Sequence, residues 1–162
     1  MAVMNANDKV LWDSYIHAWE EFLWHKTQLI RQTSNLKQVI EYGLSEEKIT
    51  AALGLMQALP IEERKSFFSI FLQGASYQNP HFVGYVDLVL SFPPKWLLEN
   101  IEEYSKPILA GEDKYEEYAC LMSLFYKIDR HLAIRLCQQA IESNDEEVKE
   151  LGRSSLQSFT SS

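Results

Sequence analysis

His17, Glu21 and His25 stand at intervals of four. On a helix they set two imidazoles and a carboxylate along one side, residue types that ligate zinc and related metals. A metal centre among helices draws ligands from more than one helix, and His81 and His131 are the histidines that could complete it. Neither belongs to a Glu-x-x-His or His-x-x-x-His pair. The same spacing also produces an outer helix face with i, i+4 glutamate–histidine contacts, which needs no metal and is the reading preferred. A helical-bundle metalloprotein or enzyme using His17, Glu21 and His25 is the alternative.

Nucleophilic chemistry finds little to build on. The chain has no Gly-x-Ser-x-Gly and no glycine-rich phosphate loop, and His131 lies six residues before Cys137 but off its helix face. Glu102/Glu103 and Glu116/Glu117 resemble carboxylate pairs, yet they fall in first or last turns of charged helices, where solvation accounts for them. The reading is a protein that is not an enzyme, without cofactor or metal. Cys120 and Cys137 flank a turn at Ile128-Asp129 symmetrically. Cys120 is off the Tyr118/Met122/Phe125 side of its helix, so two buried free thiols are expected rather than a bridge.

Binding features are plainer. Trp24 points with His17, away from the Trp12/Trp19/Leu23 stripe, so it is either covered by a neighbouring helix or an exposed anchor for a partner protein. Trp96 is a second candidate anchor. Residues 1–81 hold nine acids and seven bases, a net of −2, and residues 82–162 hold fourteen and eight, a net of −6. Glu99, Glu102, Glu103, Glu112, Asp113, Glu116 and Glu117 face only Lys106 and Lys114 in their stretch. This distribution repels phosphate, excluding nucleic acid, and suits a basic protein partner. No segment has the length and apolarity to cross a bilayer, and the opening residues lack a basic segment followed by an apolar run, so a cytosolic protein is expected.

The elements that carry these residues are helices. The spacing predicts a first helix from about Asp8 to Arg31, with Trp12, Tyr15, Ile16, Trp19, Leu23 and Ile30 in one arc, and a second from Leu36 to Tyr42 ended by Gly43. Ser45 caps a third, 46–59, and Pro60 opens a fourth, 61–73. Asn79-Pro80 starts a fifth, 80–91, and Phe92-Pro93-Pro94 stops it and starts a sixth, 95–104, before a loop bounded by Pro107 and Gly111. The last three are 113–127, 130–142, and 146–159, the final one capped by Asn144 or Asp145. Residues 83–92 are the sole strand candidate and follow helical spacing better. With 162 residues, 46% of them apolar, the chain is expected to form one all-α domain, with short disordered ends at about 1–7 and 158–162.

A step of thirty-three residues runs through Ile16, Ile49, Phe82, Tyr115 and Val148, each opening an apolar stripe spaced i, i+3, i+4, i+7, broken by Glu20 in the first and fading at Gly152 and Ser155 in the last. The second helices keep the period at Phe68/Phe71, Ile101/Tyr104 and Ile134/Cys137, while Leu36/Val39 is one residue out of register. In the segment 129–156, an Asp-Arg pair opens one helix and Asn-Asp-Glu-Glu-Val-Lys opens the next. This segment resembles HEAT repeats. The resemblance implies about nine helices in stacked antiparallel hairpins, an α-α superhelix that binds another protein. A globular helical bundle is the alternative architecture. An inhibitor or immunity-type protein that neutralises a basic enzyme is a narrower form of the same function.

Overall fold

The computed structural model describes residues 5–45, 48–110 and 114–161, and every element in them is helical. The helices are α1 (Ala6–Gln32), α2 (Leu36–Ser45), α3 (Ile49–Met56), α4 (Ile61–Arg64), a 3-10 turn (Lys65–Phe67), α5 (Phe68–Gly74), α6 (Phe82–Leu90), α7 (Pro94–Leu109), α8 (Tyr115–Ile128), α9 (Arg130–Ile141) and α10 (Glu146–Ser161). The all-α class is therefore as expected, and the strand candidate at 83–92 is α6. Where the sequence suggests one domain, the chain divides into two compact units, Met1–Lys48 and Ile49–Ser162.

Boundaries follow local chemistry. Asn5 starts α1 ahead of the expected Asp8, because its side-chain oxygen accepts the Asp8 backbone N–H at 2.8 Å. Gly43 does not end α2, which continues to Ser45, whose hydroxyl donates to the Tyr42 carbonyl. The predicted start of the third helix at residue 46 falls outside the described residues. The fourth helix forms from 61 to 74 but bends at the 3-10 turn, which lets Phe67 and Phe68 both go inward. Asp129 caps α9 by accepting from the Leu132 N–H, and Asp145 caps α10 by accepting from the Glu147 and Val148 N–H groups.

Pro107 departs most from expectation. It removes a backbone donor, so the sixth helix was predicted to stop near Tyr104, yet α7 runs through it to Leu109. Burial of Ser105, Ile108 and Leu109 in that last turn outweighs the missing hydrogen bond. At the C-terminus α10 is helical to Ser161, past the predicted end at Phe159, and the Phe159 ring stacks on Tyr126 with centroids 4.5 Å apart.

Within residues 49–161 the repeating stripes form the core. Ala52, Leu53 and Met56, then Tyr85, Val86 and Val89, then Tyr118 and Met122, then Val148 are all buried. First-position helices meet in series, α3 against α6 and α8 against α10, and the second-position helices α5 and α7 also pack together. Arg135 on α9 and Glu102 on α7, thirty-three residues apart, join in a two-pronged ion pair with N–O distances of 2.8 and 3.0 Å.

Gly152, which reads as a weak end of the stripe, is a close-approach position. A Cβ there would lie 2.9 Å from the Cys137 carbonyl oxygen and 3.0 Å from Ala140 Cβ, so the missing side chain lets α10 seat on α9. Gly152→Ala should therefore lower stability by about 1–3 kcal/mol in urea titrations. Gly54→Ala in α3, where the added carbon would meet nothing within 4 Å, should be neutral or stabilise by up to about 1 kcal/mol.

Candidate functional site

The stripe that fails to be buried is the first one. No residue of α1 is buried. Trp12, Tyr15, Trp19 and Phe22 are 53%, 59%, 49% and 48% exposed, with Val10, Leu11, Leu23, Trp24 and Leu29 also open. The rings cover one another only in part, as Trp12 tilts on Tyr15 and Trp19 on Phe22 at centroid distances of 5.7 and 5.6 Å. The arc along α1 is therefore a surface, and it extends to Phe22 and Leu29, which the i, i+3, i+4, i+7 template leaves out.

Trp24 is exposed, as the anchor reading requires, with its indole edge-on to the His25 ring at 4.8 Å. His17 Nε2 lies 3.6 Å from Glu21 Oε1, both side chains open to solvent, the i, i+4 contact of an outer face. His81 is on another unit and contacts the Thr50 hydroxyl at 3.3 Å through its ring nitrogen. Among the described residues no group of three or more His, Cys, Asp or Glu side chains converges as a metal site.

Trp96 is half-buried. Its ring packs at 4.8 Å on Phe68 and 4.9 Å on Phe92, and Phe68 also meets Tyr104 at 5.0 Å. The Pro93-Pro94 turn folds Phe92 and Trp96 onto this cluster, and the Lys65 ammonium lies over the indole. The ring therefore serves packing first and offers a partner little free surface.

Glu112 and Asp113 lie outside the described residues. The other five acids are each engaged. Glu99 pairs with Lys95 at 3.9 Å, Glu102 with Arg135, Glu103 with Lys106, and Glu117 with Lys114 at 3.2 Å. Glu116 accepts the Gln78 backbone N–H at 2.7 Å and so ties the loop before α6 to α8. Glu99, Glu102 and Glu103 do come together, rimming an open groove of about 410 Å³ with Phe125 and Leu136 at its floor. A second open groove, of about 420 Å³, lies between Gln73, Tyr77 and Tyr85. The first groove is also lined by Ser105, whose hydroxyl donates to the Glu102 backbone carbonyl at 2.8 Å, and the second by Ser69.

Both thiols are free and buried. Burial pushes the Cys137 thiol up to about 11, and burial together with the charges of Glu116 and Glu117 raises Cys120. These groups are packing elements, held as neutral thiols. Burial raises the Tyr85 and Tyr118 hydroxyls in the same sense. A folded-state value above the ordinary 9 means that the folded chain keeps a proton the unfolded chain releases. Stability should therefore be complete below pH 9 and fall by roughly 2 kcal/mol from Cys137 as pH rises through 9 to about 11. Urea midpoints at the two ends of that window should differ, and Cys137→Ala should flatten the difference. No helix among the described residues is long and apolar enough to cross a membrane. Comparison of the chain with protein-family models, curated proteins and solved structures gives no match.

Proposed function

We propose that the chain is a non-catalytic protein-binding module whose contact surface is the apolar arc of α1. The single observation carrying this is the exposure of Trp12, Tyr15, Trp19 and Phe22 on one helix with no buried residue. Burying such rings is worth about 1.5–3 kcal/mol each, so water is a costly neighbour for all four. Six large apolar side chains are exposed in residues 49–161 (Tyr77, Val83, Leu90, Leu98, Tyr115 and Tyr126), and they are spread over three helices and a loop. Those are ordinary surface residues, whereas the α1 arc is a concentrated patch.

In-series packing of α3 with α6, of α5 with α7 and of α8 with α10 supports a HEAT-like platform for residues 49–161. Two buried free thiols support a reducing, cytosolic setting. The partner is a protein that offers an apolar groove or helix face. A basic partner is less favoured than the charge alone suggests, because Glu99, Glu102, Glu103 and Glu117 already hold cations.

Trp12→Ser with Trp19→Ser should weaken partner binding at least thirtyfold, the loss of a central aromatic pair. Glu99→Gln with Glu103→Gln should change it less than threefold. Titration calorimetry or biolayer interferometry against a purified partner, with circular dichroism to verify folding, measures both. Equal binding by the tryptophan variant and loss in the glutamate variant would reverse the assignment.

A further inference from the structure

Trp12, Tyr15, Trp19, Phe22, Lys26 and Leu29 follow one another by alternate steps of three and four, the a and d positions of a coiled coil held from residue 12 to residue 29 of α1. Ile16, Leu23 and Ile30 flank that seam on one side, and Leu11 and Ala18 on the other. A groove for a globular ligand has no reason to keep such a register through the 18 residues from Trp12 to Leu29. A second helix of the same period does.

Resting on the reading of α1 as the contact surface, we infer that its partner is α1 of a second copy of this chain, paired antiparallel. The seam is symmetric about the point between Glu20 and Glu21. Antiparallel pairing sets Trp12 against Leu29, Tyr15 against Lys26, and Trp19 against Phe22, each an a position facing a d position. Lys26, the one charge in the seam, already lies over the Phe22 ring at 5.7 Å and would meet the Tyr15 ring of the second copy. The first third of α1 carries Asp8 and Asp13 against Lys9, a net of −1, and the last third Lys26 and Arg31, so opposite net charges and opposite helix dipoles align. Parallel pairing would stack like charge on like.

The area suffices. An aromatic side chain covers about 150–250 Å². Four rings at roughly half exposure release about 400 Å² per copy, and Leu11, Leu23 and Leu29 bring the total to about 700 Å², close to the ~800 Å² per partner of stable interfaces.

Analytical ultracentrifugation of the full chain should give a dimer, and Trp19→Asp with Phe22→Asp should shift it to monomer with at least a hundredfold weaker association. A dimer that survives this double change overturns the inference. Spin labels at Lys9→Cys, with Cys120 and Cys137 buried and unlabelled, should lie about 35 Å apart along the pair at 1.5 Å per residue. Labels about 10 Å apart would mean parallel pairing and overturn it too. If the wild type is monomeric, acrylamide quenching in a Trp24→Phe, Trp96→Phe background separates the remaining cases. Open indoles at Trp12 and Trp19 end the dimer and leave the wider partner-binding reading intact. Shielded indoles end both.

Discussion

An α-helix with one apolar side has no interior of its own, so its stripe leaves water only when another surface is laid against it. Residues 49–161 meet that constraint by packing helix on helix, α3 and α5 on α6, α5 on α7, and α8 on α9 and α10. Phe68, Leu88, Ile101, Met122 and Leu132 are all below 2% exposed, one from each of five helices. The glycines set how closely this can happen. Tyr85 lies on Gly74, where any side chain would fall 2.4 Å from its ring, and α10 lies on α9 through Gly152. Polar contacts then fix register between layers, as Glu102 and Arg135 do across one full period. Such an exposed pair adds little energy, but its two-pronged geometry is satisfied at one offset only.

The same constraint explains what could be read in advance. Stripes at Ile49, Phe82, Tyr115 and Val148 were legible because apolar spacing depends on the helix alone, and the start at Asp129-Arg130 and the cap at Asn144 or Asp145 were legible because such signals are local. Pro107 misled because its penalty is local while the burial of Ile108 and Leu109 that offsets it is tertiary. Gly152 misled in the opposite direction. Its lack of a side chain looks like a fading stripe in one dimension and is a close helix contact in three. Trp96 could not be told from a surface anchor, since its placement depends on Phe68, twenty-eight residues away. The α1 arc was visible as an apolar surface, but whether anything covered it was not.

Charge and apolar surface then separate in role. The acidic stretch from Glu99 to Glu117 looks, in sequence, like the site most available to a partner. In the fold its described carboxylates close onto Lys95, Arg135, Lys106, Lys114 and the Gln78 amide. Ion pairing leaves the net charge of −8 and its value for solubility unchanged. It removes the directed, unpaired carboxylates that a specific basic partner would grip. The concentrated exposed aromatic surface lies on α1.

That surface bears on the stability of α1 itself. A solitary helix in water depends on intrinsic propensity, and α1 spends much of its length on residues that are poor in it: three Trp, a Tyr, a Phe, two Ile and a Val. Their rotamers are restricted against the preceding turn, and no buried contact in α1 offsets the loss. In most proteins a helix of this composition is held by the packing of its apolar face. The residues that weaken α1 as a single helix are the ones that would strengthen it in a pair, because aromatic rings bury the most area for the fewest frozen torsions. Under the proposed pairing, ordering of α1 and occupation of its arc become one equilibrium, in which a partner covering Trp12, Tyr15, Trp19 and Phe22 stabilises the helix that presents them.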